Sequence, residues 1–214
     1  MIHHLDPKLD ILPPPQKILW EEFSTVPKEF ILYGGTAIAL QIGHRESIDF
    51  DFFGSADFNP DELLNRLPFL EGGKVTQREK STLTVVVDRN GPVSLSFFGL
   101  PTIRSIKLPL KVQSNGIQVA SLLDLAGMKV SVVQKRAEWK DYVDIAALID
   151  HGIKLEQALD AAQAIYGEQF NFHITLKALS YYKDIEGLSD VVKHQLQKAV
   201  QQVNINSLLE VEEL

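Results

Sequence analysis

The sequence predicts an α+β fold: a sheet with flanking helices, followed by a C-terminal helical bundle. Two observations carry this. Apolar runs of strand character, several closed by glycine, fill the first half of the chain, whereas after Gly116 the apolar residues recur at helical spacing. No internal repeat or low-complexity segment blurs the change. At 214 residues the chain can form one large domain or two small ones. The change of character divides it into 1–116 and 117–214, the second half standing apart or packing with the first as one unit.

The elements follow in order. Pro13-Pro14-Pro15 is expected to break regular structure and to introduce a short amphipathic stretch, Lys17 to Phe23. FILYGG reads as a buried strand ending in glycine, and TAIALQIGH as a helix of about two turns. SIDFDFFG is a second strand. DELLNRLPFL is a helix with an acidic first turn, as its dipole prefers. STLTVVVDRNGPVSLSFFGL reads as two strands joined at Asp88-Arg89-Asn90-Gly91, with Pro92 suited to a strand start. SLLDLAGMKVSVVQKR, DYVDIAALID, LEQALDAAQAIYG and SDVVKHQLQKAVQQV are helix-patterned, with Gly152 and Gly167 as stops.

Composition narrows the function classes. Hydrophobic content of 45% supports a real core, and no run reaches the ~20 apolar residues of a membrane helix, so no membrane partner is expected. The absence of cysteine excludes disulfides and thiolate metal sites and is compatible with a reducing cytoplasm, the expected location. MIHHLDPKLDILPPP lacks the basic start and apolar core of a signal peptide; His3 and His4 read as an exposed terminus rather than a metal pair. A net charge of −7 gives no general drive toward nucleic acid, so any such contact needs a local basic patch.

The stretch GGTAIALQIGHRESIDFDFF concentrates the chemistry. On a strand, residues two apart share a face, so Asp49 and Asp51 project together while Ile48, Phe50 and Phe52 turn the other way. Two carboxylates on one face repel unless a cation lies between them, and magnesium takes such oxygen ligands together with substrate phosphates. The alternative is a solvated strand end, or a pairing with Arg45. Upstream, Gly34-Gly35-Thr36 sits where a strand yields to a helix. Residues without Cβ let backbone N–H groups approach a ligand, and a helix N-terminus favours anions. Thr36 fits a helix cap or a phosphate donor. A tight turn with a threonine cap is the plainer reading of the glycines alone.

Together these motifs resemble the polymerase-β-type nucleotidyltransferases, in which a Gly-Gly or Gly-Ser pair at a helix start precedes an Asp-x-Asp strand. More narrowly, the string resembles the AbiEii/AbiGii toxin family of minimal nucleotidyltransferases. That family pattern continues with a lysine in the first helix after the sheet, here Lys129, and a K-D-x-x-D element, here Lys140 to Asp144. The resemblance covers roughly Phe30 to Ile149. It implies a nucleotidyltransferase-type mixed sheet, a nucleoside triphosphate substrate and Mg2+, with Mn2+ as a substitute. It further implies Asp49 and Asp51 as metal ligands, and phosphate binding by Gly34, Gly35, Thr36 and Lys129. Asp141 or Asp144 would support the site, and Arg45 and Ser96 are candidate nucleotide contacts. The acceptor would be the hydroxyl of an RNA such as a tRNA, of a protein or of a small molecule, and a cognate antitoxin is the expected partner.

In the second half, Lys129, Arg136, Lys140 and Asp144 recur at spacings of seven, four and four, a single stripe on an unbroken helix. A turn near Ala137-Glu138 is expected to break it, leaving Lys140 and Asp144 as an i,i+4 pair. Lys107-Lys111 and Lys129-Lys135-Arg136 are the small basic clusters that would grip an RNA end. One element of the wider superfamily is missing. The strand GPVSLSFFGL, where a third carboxylate belongs, offers only Ser94 and Ser96. Serine is a poor metal ligand and no base at neutral pH. Asp88 reads as a turn residue, and Glu79 reaches the site only if the register allows. Three readings follow: an active nucleotidyltransferase whose base comes from Asp141, Asp144 or the substrate itself; a protein that binds a nucleoside triphosphate and metal but transfers slowly or not at all; or a partner-binding module with a vestigial site.

Overall fold

The computed structural model describes residues 3–183 and 185–204. The chain divides into two compact units, Met1–Ile103 with Leu108–Ser121 and Arg104–Lys107 with Leu122–Leu214. The first is built on a mixed sheet of eight strands among the described residues: β1 (His4–Leu5), β2 (Phe30–Tyr33), β3 (Asp49–Gly54), β4 (Lys74–Glu79), β5 (Thr82–Asp88), β6 (Pro92–Gly99), β7 (Leu110–Val112) and β8 (Gln118–Val119). Their order is β1-β7-β8-β2-β3-β6-β5-β4. The pairs β1/β7, β2/β8 and β3/β6 are parallel and the rest antiparallel. Helices α1 (Pro14–Glu21), α2 (Gly34–Ile42) and α3 (Pro60–Arg66) belong to the same unit.

Alternation along β3 fixes which face is core. Phe50 and Phe52 are fully buried, and Phe23 meets both rings edge-on at 4.8 and 5.4 Å between centroids. Phe52 also stacks on Phe97 of β6 at 5.2 Å. Each such ring contributes about 1.5–3 kcal/mol by burial, so register in β3 is strongly specified. A one-residue slip would bury Asp49 and Asp51 instead. Ile48 is 47% exposed. It lies outside β3, and the expected grouping with the phenylalanines does not hold.

The β5–β6 hairpin forms at the predicted turn. Asn90 and Gly91 take positive φ of 62° and 152°, and the Asp88 side chain accepts from the Gly91 N–H at 3.0 Å. Asparagine and glycine tolerate that backbone at little cost. Two local expectations are corrected and two strands were not foreseen. Pro14 and Pro15 open α1 rather than breaking structure, because a first-turn proline lacks only an N–H that has no intrahelical partner anyway. The His4–Leu5 segment pairs with β7 at the sheet edge. The sheet continues past Gly116 into β8. Finally, β4 was not legible: all six of its residues are exposed, so an edge strand carries no alternation.

The second unit is helical: α4 (Leu122–Val132), α5 (Trp139–Asp150), α6 (Leu155–Tyr166), α7 (Phe172–Ala178) and α8 (Asp190–Gln202). Helices α4 and α6 approach closely at Gly127, where a Cβ would meet Ala161 and the Ala162 nitrogen at 2.9 Å. Thr175 of α7 donates to the Val130 carbonyl at 2.7 Å, and Asp124 accepts from the Ile106 and Lys107 N–H groups at 2.7 and 3.1 Å. The expected break near Ala137-Glu138 lies between α4 and α5. No helix among the described residues is long and apolar enough to cross a membrane.

Candidate functional site

The chemistry of the first unit lies on the sheet face opposite the phenylalanine core. Asp49 is exposed and Asp51 half-buried, and both stand on that face of β3. Tyr33 is the cross-strand partner of Asp51 on β2, and Ser94 and Ser96 of β6 partner Asp49 and Asp51. The Ser96 hydroxyl is 3.2 Å from that of Thr84 on β5. Beyond Asp51, Phe53 stacks on Tyr33 at 4.9 Å and meets Phe98 edge-on at 5.4 Å. The face therefore grades from carboxylates and hydroxyls to aromatic rings.

The glycine turn closes on this pair from the side of β2. Tyr33 is the N-cap of α2 and its side chain makes no capping bond, so the helix begins at Gly34 with its N-terminal dipole beside the carboxylates. Gly34 has φ +73°, and a Cβ there would lie 2.6 Å from Asp51 Oδ2. Only glycine permits both the left-handed backbone and that approach. Thr36 is not the cap. It sits in the first turn, 2% exposed, with its hydroxyl bonded to Ser47 Oγ at 2.7 Å and donating to the Asp49 carbonyl. Arg45, half-buried in the α2–β3 loop, donates to the Glu46 carbonyl at 2.9 Å.

These residues suit magnesium. Two carboxylates supply hard oxygen donors on one face, and this ion commonly takes one or two carboxylates plus water and phosphate oxygens. No cluster of three or more His, Asp or Glu side chains shaped for a metal occurs among the described residues. Glu79 is exposed on β4, with Thr82 as its cross-strand partner, in the row that runs on through Phe98 to Phe53. Asp88 is occupied by its turn. The β6 positions beside Asp49 and Asp51, where the third carboxylate belongs, are occupied by Ser94 and Ser96.

In the second unit, Lys129 of α4 is held between Asp141 and Asp144 of α5, its Nζ 2.6 Å from Asp141 Oδ1 and 2.8 Å from Asp144 Oδ2. Both carboxylates are fully buried and Lys129 is 8% exposed. Arg136 adds a forked contact, Nε to Asp141 Oδ2 at 2.8 Å and Nη2 to Asp141 Oδ1 at 3.1 Å. Two cations face two anions, which offsets a desolvation cost of several kcal/mol per ion. The expected Lys140–Asp144 pair gives way to this cluster, and Lys140 is exposed. Lys129-Lys135-Arg136 is consequently not a basic patch, since Lys129 and Arg136 are committed to carboxylates. Lys107 and Lys111 fall in different units.

Residues 17–204 match the family model described as nucleotidyl transferase AbiEii toxin, type IV toxin–antitoxin system. The chain belongs to the AbiEii nucleotidyltransferase toxin family. An uncharacterized protein of Aquifex aeolicus (strain VF5) is 30% identical over 161 residues, covering 73% of this chain and 75% of that protein. Among solved structures, the nucleotidyltransferase toxin MenT4 of Mycobacterium tuberculosis H37Rv superposes with a TM-score of 0.61 at 12% identity, over 89% of this chain and 84% of its own. A protein of H. pylori provisionally described as a nucleotidyltransferase gives 0.54 at 17% identity, over 92% and 95%. At these identities the two structures establish the nucleotidyltransferase fold. The AbiEii motif residues thus divide between two groups, Gly34, Gly35, Thr36, Asp49 and Asp51 in the sheet unit and Lys129, Asp141 and Asp144 in the helical unit. Sequence reasoning passed over Ser47, although it lies inside the quoted stretch, and Gln16; both hold the approach to Asp49.

Proposed function

We propose that this AbiEii-family chain transfers a nucleoside monophosphate from a nucleoside triphosphate to a hydroxyl of an RNA, protein or small molecule, releasing pyrophosphate, and does so with Mg2+. The observation that carries the reading is the packing of the Gly34 turn against Asp51, which puts a helix N-terminus beside two carboxylates on one sheet face. Asp49 and Asp51 are assigned to hold the ion. The N–H groups of the Gly34-Gly35 turn, aided by the α2 dipole, are assigned to phosphate oxygens. Ser96 donates a hydrogen bond on the β6 side, and Arg45 supplies charge from the loop. Lys129, paired with Asp141 and Asp144, is assigned a phosphate contact on the family motif alone. The bound ion would neutralise charge developing on the transferred phosphoryl group. A cognate antitoxin is the partner this reading expects, following the type IV system of the family description.

A second reading rests on a separate observation. The β6 positions beside Asp49 and Asp51 carry serines, which supply no base at neutral pH. The chain then binds nucleotide and partner but transfers slowly. Incubation with each NTP labelled at the α-phosphate, with Mg2+ and RNA, protein or aminoglycoside acceptors, separates the two. Label on an acceptor, lost in Asp49→Ala and Asp51→Ala, supports transfer. Nucleotide binding with no label on any acceptor class supports the second reading.

A further inference from the structure

The ladder that should hold the start of β3 runs out where the chemistry begins. The last β2–β3 partners are Tyr33 and Asp51, and continuing that antiparallel register would set Asp49 opposite Gly35. But the chain has turned into α2 at Gly34, so no strand remains on that side to bond the Asp49 carbonyl. The Thr36 hydroxyl, returning from the first turn of that helix, donates to this carbonyl in place of the missing strand. Ser47 Oγ, buried at 8% exposure, completes the group at 2.7 Å from the same hydroxyl. The two preceding residues are held as well. Ser47 N–H donates to the Ile11 carbonyl at 3.3 Å, and the Ile48 carbonyl accepts from Gln16 Nε2 at 3.1 Å. Three successive residues entering the carboxylate pair are thus fixed by groups from three separate segments.

From this arrangement we infer that Thr36, backed by Ser47, is a positioning residue that sets the aim of the Asp49 carboxylate toward the divalent cation, rather than a phosphate ligand. The inference rests on the proposed metal role of Asp49. Thr36 is 2% exposed, and its hydroxyl, already donating to a main-chain carbonyl, has no proton left for an incoming oxyanion. Asp49 is exposed, so its side chain lacks packing that would otherwise limit it, and the direction of its Cα–Cβ bond depends on the backbone beneath. Loss of a group that orients a metal ligand costs about 10–100-fold in metal affinity. A group that touches phosphate directly would instead weaken nucleotide binding at any metal concentration.

The test is calorimetry on the full chain with two titrations: Mn2+ into protein at saturating NTP, and NTP into protein at saturating Mn2+. Thr36→Val, which keeps shape and removes the hydroxyl, is expected to weaken Mn2+ binding by about tenfold or more. Its NTP affinity at saturating metal should match wild type, and Thr36→Ser should restore the metal affinity. Ser47→Ala, which leaves the Thr36–Asp49 bond in place, should give a smaller loss of the same kind and serves if Thr36→Val does not fold. Weakened NTP binding that persists at saturating metal would overturn the assignment, as would unchanged Mn2+ affinity in both variants. Asp49→Ala run in parallel shows which statement has failed. If Asp49→Ala loses Mn2+ affinity and the threonine and serine variants do not, the positioning role alone is wrong. If Asp49→Ala also binds Mn2+ as wild type does, the metal role of Asp49 falls and the inference falls with it.

Discussion

Replacing Gly34 by alanine sets a methyl group 2.6 Å from Asp51 Oδ2 on a backbone with φ +73°. The left-handed conformation alone costs an L residue about 1–2 kcal/mol. The carboxylate is the far end of a rotatable side chain, so it relieves the clash by leaving its rotamer, at about 0.5–1.5 kcal/mol. Together these give roughly 1.5–3.5 kcal/mol of lost stability. In a chain of this length each kcal/mol lowers Tm by about 2–4 °C. The displaced carboxylate is also one of the two proposed metal ligands, so the functional loss should exceed what stability explains. Mg2+-dependent NTP binding is expected to weaken at least about tenfold, or 1.4 kcal/mol, at a temperature where the variant remains folded. Thermal unfolding gives the first quantity and calorimetry the second. A variant with lowered Tm but wild-type Mg2+-dependent binding would refute the claim that Asp51 must sit against the glycine turn to hold the ion.

Two further predictions concern the helical unit. Lys129→Ala removes the cation shared by the fully buried Asp141 and Asp144, and should cost about 3–5 kcal/mol by denaturant unfolding. A loss below about 1 kcal/mol would contradict the ion cluster. Tyr182 packs edge-on against Tyr142, and burial pushes its phenol up to about 12. An unfolded tyrosine titrates near 10. The folded state therefore keeps a proton that the unfolded state releases, so this contribution is fully present below about pH 10 and is lost as pH rises toward 12. Thermal unfolding of wild type across that window should show declining stability, and Tyr182→Phe a shallower decline; parallel curves would contradict it.

How much of this was legible in the sequence depended on whether a signal was local. The β3 strand was readable because Phe50 and Phe52 alternate with Asp49 and Asp51, and the hairpin because Asn90-Gly91 follows a strand. The exposed edge strand β4 and the seven-residue α7 gave no periodicity to read. Lys129 shows the limit at the candidate site. The family pattern singled it out, but its partners lie twelve and fifteen residues away on another helix. The i,i+4 rule pointed instead to Lys140–Asp144. Tertiary burial of two carboxylates outweighs a surface pair worth a few tenths of a kcal/mol. Thr36 marks the other limit. Its place after two glycines suits a cap, a phosphate donor or an inward tether, and only the path of β3 past the end of β2 distinguishes them.

The most direct test of the central claim is calorimetric binding of each NTP, with and without Mg2+, to wild type and to the double variant Asp49→Ala/Asp51→Ala. The account predicts Mg2+-dependent binding of at least one NTP by the wild type and its abolition in the double variant. Binding of no NTP by the wild type, or equal Mg2+-dependent binding by the double variant, would contradict it.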